Sequence, residues 1–237
     1  TKGSLKNSAP STAEVFIGGC VGYIVGYNTN ISNFTNYGPI SLSKTAICKT
    51  TALGGVVGCV RQTTGNSITK CKNYGKLSKE SYDSVEMLLY MGGIVGYAES
   101  ANLTIGDDTA DGVVNYGAIE SNSKPKNIFL GGIIGGIYAV TTETIASVTN
   151  TIKNCKNDKD ATISHDKWTN TNGGGMGGVL GCHSADKTIT AVINIESCIN
   201  NAIVKKIGQG IQGDFHVAGI AGSFYTPTNV TGNITSC

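Results

Sequence analysis

Six times along this chain, at intervals of 36 to 46 residues, the pattern Gly-Gly-x-x-Gly returns. It stands at Gly18-Gly19-Cys20-Val21-Gly22, Gly54-Gly55-Val56-Val57-Gly58, Gly92-Gly93-Ile94-Val95-Gly96, Gly131-Gly132-Ile133-Ile134-Gly135 and Gly177-Gly178-Val179-Leu180-Gly181, and as Ala218-Gly219-Ile220-Ala221-Gly222. A fixed period of this size means one supersecondary unit stacked on copies of itself, because a single unit cannot bury its apolar face alone. The chain is therefore read as one domain, 1–237, an array with units near 15–51, 52–88, 89–127, 128–173, 174–214 and 215–237. Residues 1–14 form the tail of a preceding coil.

Each glycine motif is followed by a second element, with Cys or an apolar residue two places before an Asn. The copies are Phe34-Thr35-Asn36, Cys71-Lys72-Asn73, Val113-Val114-Asn115, Cys155-Lys156-Asn157 and Cys198-Ile199-Asn200, with a last Cys237. An apolar residue returns after the turn, at Ile40, Leu77, Ile119, Ile163 and Val204. Three short strands per repeat predict an all-β fold, a parallel β-helix (β-solenoid) of about six coils, open at both ends. Asn36, Asn73, Asn115, Asn157 and Asn200 are expected to stack as a ladder of side-chain amides, at corners whose left-handed backbone Asn and Gly tolerate. A helical array is excluded, since each glycine inside these apolar segments would cost a helix about 1 kcal/mol.

The glycine strands are apolar on both parities: Met91, Gly93, Val95 and Tyr97 on one, Tyr90, Gly92, Ile94 and Gly96 on the other. That pattern suits a strand buried on both faces. Two readings follow. One parity lines the lumen while the other packs on a second layer or a neighbouring chain, or the stacked glycines simply narrow the coil.

Charged residues make up only 14% of the chain and there is one arginine, Arg61. With no basic stripe, no nucleic-acid partner is expected. The longest apolar stretch, 129–140, is too short to cross a bilayer, so no membrane insertion is expected. No signal peptide is read at the polar N-terminus, so a leader has been removed or the chain is part of something longer. Both ends fall inside a coil without polar caps, which leaves an excerpt of a longer array or a subunit stacking head to tail.

Eight cysteines are present. Repeats with a Cys after the glycines also carry one beside the Asn, which suggests Cys59–Cys71 and Cys182–Cys198 disulfides. The alternative is a ladder of buried thiols acting as small hydrophobes. Cys20, Cys48, Cys155 and Cys237 have no assigned partner. Among the Asn-x-Ser/Thr sequons, Asn30, Asn102 and Asn229 fall in the variable segment after the glycine motif and are the glycosylation candidates. Even cysteine count, sequons and low charge together point outside the cell or to its surface.

The glycine core, as in Gly93-Ile94-Val95-Gly96 and Gly132-Ile133-Ile134-Gly135, followed by Asn154-Cys155-Lys156-Asn157, resembles the GLUG-motif repeat proteins over nearly the whole chain. That resemblance implies a right-handed β-helix on secreted, cell-surface or filamentous proteins, adhesin-like proteins among them, and it carries no shared catalytic residues. The departures are Ala218, Cys20, and the loss of the Asn-x-Gly turn at Asp158-Lys159 and Asn201-Ala202.

Enzymatic signatures are missing from the pattern. The acidic run Asp107, Asp108 and Asp111 has no basic residue beside it and reads as a solvated loop. His165, His183 and His216 stand at unmatched positions and read as surface or loop residues. Tyr23, Tyr97, Ile137-Tyr138 and Phe224-Tyr225 read as starting the variable loops, where they could stack on sugars or shield coil edges. The expectation is therefore a non-enzymatic structural protein without metal or cofactor, a building block of an extracellular filament or stalk that self-associates head to tail. The alternative is a cell-surface adhesin or glycan-binding module, with a glycan or host-surface ligand.

Overall fold

The computed structural model describes residues 5–7, 14–26, 28–43, 49–80, 88–109, 112–142, 145–166, 173–208, 214–225 and 230–237. Within them the chain is all strand, with no helix, and winds as a parallel β-solenoid of about five turns. Six successive strands along a sheet span five turns, one fewer than the six coils expected. At ~4.8 Å per rung the stack is about 24 Å long.

Every turn gives five short strands, each pairing in parallel with its equivalents above and below. Sheet 1 holds Glu14–Gly18, Thr50–Gly54, Leu88–Gly92, Asn127–Gly131, Gly173–Gly177 and Phe215–Ala218. Sheet 2 holds Val21–Val25, Val57–Arg61, Val95–Glu99, Ile134–Ala139, Leu180–Ala185 and Ala221–Tyr225. Sheet 3 runs from Asn30–Ser32 through Asn66–Thr69, Leu103–Ile105, Ser147–Lys153 and Thr190–Glu196 to Val230–Thr235. Sheet 4 holds the asparagine strands, from Thr35–Asn36 to Ile199–Asn200, and sheet 5 runs from Leu5–Asn7 to Val204–Lys206.

Five strands appear where three were expected because two of the three bend. The Gly-Gly pair bends the first, dividing it between sheets 1 and 2. A left-handed residue bends the second, dividing sheet 3 from sheet 4: Asn33, Lys70, Asn154, Ser197 and Ser236 have φ of 58°, 52°, 50°, 51° and 55°, and Gly106 takes that place in the third repeat. The ladder asparagines are not among the left-handed residues, contrary to the corner role expected of them.

Their role is instead inside the coil. Asn36 Nδ2 donates to Asn73 Oδ1 at 2.8 Å, and Asn73 to Asn115, Asn115 to Asn157 and Asn157 to Asn200 at 2.9 Å each. The same amide closes a local turn: Asn73 Nδ2 donates to Gly75 O at 2.9 Å, while Asn73 Oδ1 accepts from Gly75 N at 3.1 Å. Asn73, Asn115 and Asn157 have no solvent exposure, so each bond forms where water cannot compete.

The Gly-Gly corner folds inward until it meets this ladder. A Cβ on Gly55 would lie 2.4 Å from Asn73 Cγ and 2.1 Å from Gly93 O, and one on Gly93 would lie 2.3 Å from Asn115 Cγ. Glycine is required here by close approach. The contact divides the lumen in two. One lobe, between sheets 5 and 1, holds Ile40, Leu77, Met91, Ile119, Leu130 and Ile163. The other, among sheets 2, 3 and 4, holds the column Ile31, Ile68, Ile105, Ile152 and Ile195 together with the corner residues Val56, Ile94, Ile133 and Val179. Each buried isoleucine contributes roughly 2 kcal/mol.

In the fourth to sixth repeats the added length does not form a bare loop. Sheet 3 lengthens to Ser147–Lys153 and Thr190–Glu196, and a satellite cluster of Ala139, Ile145, Val148, Ile189 and Ala191 packs beneath the extension.

The structure corrects the disulfide assignment. Cys59, Cys71, Cys182 and Cys198 are all free, as are Cys20, Cys155 and Cys237, while Cys48 lies outside the described residues. Cys59 and Cys182 face outward from sheet 2 among Tyr90 and Tyr97, whereas Cys71 and Cys198 face the lumen, so a sheet separates each expected pair. The lumen thiols have a different task. Cys71 Sγ–H donates to Thr69 O at 3.2 Å, Cys155 to Lys153 O at 3.3 Å and Cys198 to Glu196 O at 3.4 Å. Each serves the carbonyl of the residue preceding the left-handed bend.

Two outcomes are expected. Asn115→Ala removes bonds in both directions along the ladder and should cost roughly 3 kcal/mol, against about 1 for Asn36→Ala at the first rung, as read by denaturant unfolding. Gly93→Ala should lower the melting temperature by several degrees or prevent folding. Gly219→Ala, where an added Cβ meets nothing within 4 Å, should leave it unchanged.

Candidate functional site

Because the Gly-Gly corner is sharp, the faces of sheets 1 and 2 that point away from the lumen turn toward each other as two walls of a cleft. At its apex the backbones touch: a Cβ on Gly96 would lie 2.9 Å from Leu53 N. Above the apex, Phe16, Ala52, Tyr90 and Phe129 of sheet 1 pack on Cys59, Tyr97, Tyr138 and Cys182 of sheet 2. The second parity of the glycine strand thus packs on a second layer supplied by its own chain.

The cleft changes character from turn to turn. Near the start, Phe16 and Tyr23 pack with centroids 5.1 Å apart. Arg61 lies 5.4 and 5.7 Å from those two centroids. Its guanidinium donates twice to Glu14, at 2.7 and 2.8 Å, and its Nε stands 3.0 Å from Glu99. The Arg61 bonds hold the Glu14 carboxyl below the ordinary range. In the middle, Tyr90 stacks on Tyr97 at 4.2 Å and on Phe129 at 5.2 Å. Tyr97 donates to Glu99 Oε2 at 3.1 Å and Tyr138 to Asp186 Oδ1 at 2.6 Å.

A cavity of about 620 Å³ runs along the cleft, its lining reaching from Glu14, Lys49 and Thr50 past Leu88, Tyr97 and Asn127 to Tyr138, Ser184 and Tyr225. Asn127 Oδ1 is buried there without a hydrogen-bond partner. Burial pushes the Cys182 thiol up to about 12, and burial with the Asp186 hydrogen bond does the same to the Tyr138 hydroxyl. These groups stay protonated at neutral pH and are not activated nucleophiles. No group of three or more His, Cys, Asp or Glu able to hold a metal occurs among the described residues.

The glycosylation candidates and the acidic run fall outside the cavity lining among the described residues. Asn30 is exposed on sheet 3, where its Oδ1 accepts from Ser67 Oγ at 2.8 Å. Asn102 is half-buried, and its side chain bridges turns, accepting from Thr149 N at 2.6 Å and donating to Thr64 O at 3.4 Å. Asn229 and Asp111 lie outside the described residues. Asp107 accepts from Thr109 N at 2.9 Å and Asp108 pairs with Lys153 at 2.8 Å. Tyr23, Tyr97, Tyr138 and Tyr225, read as loop residues, are strand residues of sheet 2, and Ile137 and Phe224 point into the lumen. Outside the cleft, Tyr37, Tyr74 and Tyr116 stack at 5.1 and 4.5 Å on the flank of sheet 4.

Two histidines also depart from expectation. His183 is fully buried in the column that holds Val60, Ala98 and Ile137 in other turns, and neither ring nitrogen has a hydrogen-bond partner. His165, equally buried, bonds Ser121 O through Nδ1 at 3.1 Å, with Nε2 unpartnered.

No family model, no curated protein and no solved structure matches this chain. The class it belongs to is set by its own geometry: a parallel β-solenoid with a cleft along one side.

Burial lowers the pKa of His165 and of His183 from 6.5 to about 4, with the Lys206 charge adding at His165. Between those values the unfolded chain binds more protons than the folded one. Stability present above pH 6.5 is therefore lost as the pH falls toward 4, by up to roughly 3 kcal/mol per histidine. The melting temperature should drop across that window, and His183→Val, matching Val60 in the same column, should flatten the drop.

Proposed function

We propose that this chain is a non-enzymatic structural module of an extracellular or cell-surface assembly, a filament or stalk of the kind its GLUG-like repeats suggest. In this reading copies join head to tail by the turn-on-turn stacking that builds the fold. The observation that carries the reading is the regularity of the stack: five sheets pair in parallel from turn to turn and the asparagine amides bond one another in a continuous line, so each turn is a template for the next.

Electron microscopy of the purified native protein at neutral pH tests this. Filaments with an axial repeat of ~29 Å, six rungs per copy at the ~4.8 Å spacing, are the expected result. A uniform population of isolated short rods at high concentration would sink the reading.

A further inference from the structure

The cleft carries an inference separate from end-to-end assembly: we infer that its fifth turn is a slot for one sugar ring of an uncharged glycan. The argument rests on register. Tyr138, Ser184 and Tyr225 occupy one position in three consecutive strands of sheet 2, and Phe129, Gly175 and His216 occupy the facing position in sheet 1. The fourth and sixth strands bring rings to both walls. The fifth brings Ser184 and the neighbouring Cys182 to one wall, and to the other Gly175, which lies against Ser223 and Gly181.

Rungs are ~4.8 Å apart, so Tyr138 and Tyr225 are rooted about 9.6 Å apart, two stacking distances with one ring missing. Where no rung is missing, the rings of this chain do stack: Tyr90 on Phe129 at 5.2 Å, Tyr37 on Tyr74 at 5.1 Å. The cavity along the cleft takes in this interruption, where Phe129, Cys182 and the two tyrosines line it. Tyr138 is held in place by its bond to Asp186, so part of the wall is preorganised.

The polar groups at the slot select the ligand. Asn127 Oδ1 is buried and unpartnered, Ser184 borders the cavity, and Glu14 and Glu99 line it further along against the single ammonium of Lys49, so acceptors predominate. A pyranose offers an apolar C–H face to the tyrosines and hydroxyl donors at its edge. A purely aromatic ligand would leave the acceptors unpaired. Arg61 is already taken up by Glu14 and Glu99, which leaves the guanidinium unavailable to an acidic sugar. The cleft continues past Leu88 and Tyr97 to Glu14, so neighbouring sugars of a linear chain can lie along the solenoid axis.

Amide-resolved NMR titrations of the native protein with cellohexaose, chitohexaose and mannohexaose test the slot. At least one should give saturable shifts at Ser184 and Tyr225. Ser184→Tyr, which supplies the missing ring, should weaken that binding at least tenfold without lowering the melting temperature, and Tyr225→Ala should weaken it comparably. Saturable binding to none of the three would overturn the inference. So would undiminished binding by Ser184→Tyr, or shifts confined to the Tyr37–Tyr74 flank. The cleft lies on the side of the rod, so loss of sugar binding and loss of filaments are separately readable.

Discussion

Everything in this molecule follows from how closely two pieces of backbone approach at the Gly-Gly corner. The corner presses on an asparagine of its own turn and on the corner of the turn beside it, leaving no room for even a methyl group. A lumen wide enough to need large residues everywhere becomes two narrow lobes that branched aliphatics fill. The asparagine ladder seals the line between them. Its amides are satisfied along the stack and within their own turns, so a polar seam runs through an apolar interior with its hydrogen bonds made.

Much of the architecture was legible because period and register are the same information in a solenoid. Once the glycine motifs are aligned, Asn36 must stand over Asn73 and Ile40 over Leu77, and the strand pairing places them so. What was not legible depends on the angle of the corner, which no period encodes. Apolar residues on both parities of the glycine strand were the available signal, but the signal cannot say which layer covers the second face. Co-occurrence also misled. Cys59 and Cys71 share a repeat, yet that repeat crosses from the outer face of one sheet to the lumen, so closeness in sequence places them on opposite sides of a wall. His183 would have been placed by asking which column it enters: Val60, Ala98 and Ile137 answer that the site is buried.

The cleft shows how such a fold separates support from surface. Positions that touch the corner are glycine in nearly every turn, while positions one or two residues away vary freely: Ala52, Tyr90, Phe129 and Gly175 follow one another along a single column. Pairing with the strands on either side keeps each of these side chains in a fixed place whatever its size. A chain of this kind can therefore alter a ligand site by single substitutions without disturbing the scaffold, provided the glycines and asparagines remain.

The lengthening of sheet 3 has a consequence of its own. The three-residue strand Asn30–Ser32 at one end and the six-residue strand Val230–Thr235 at the other give the rod a taper. The rod is therefore polar, and pairing of like ends would set strands antiparallel, unlike the parallel ladders within it. Copies joined in series would show a small ledge once per copy, always on the same side, and that ledge would tell an observer which way the fibre points.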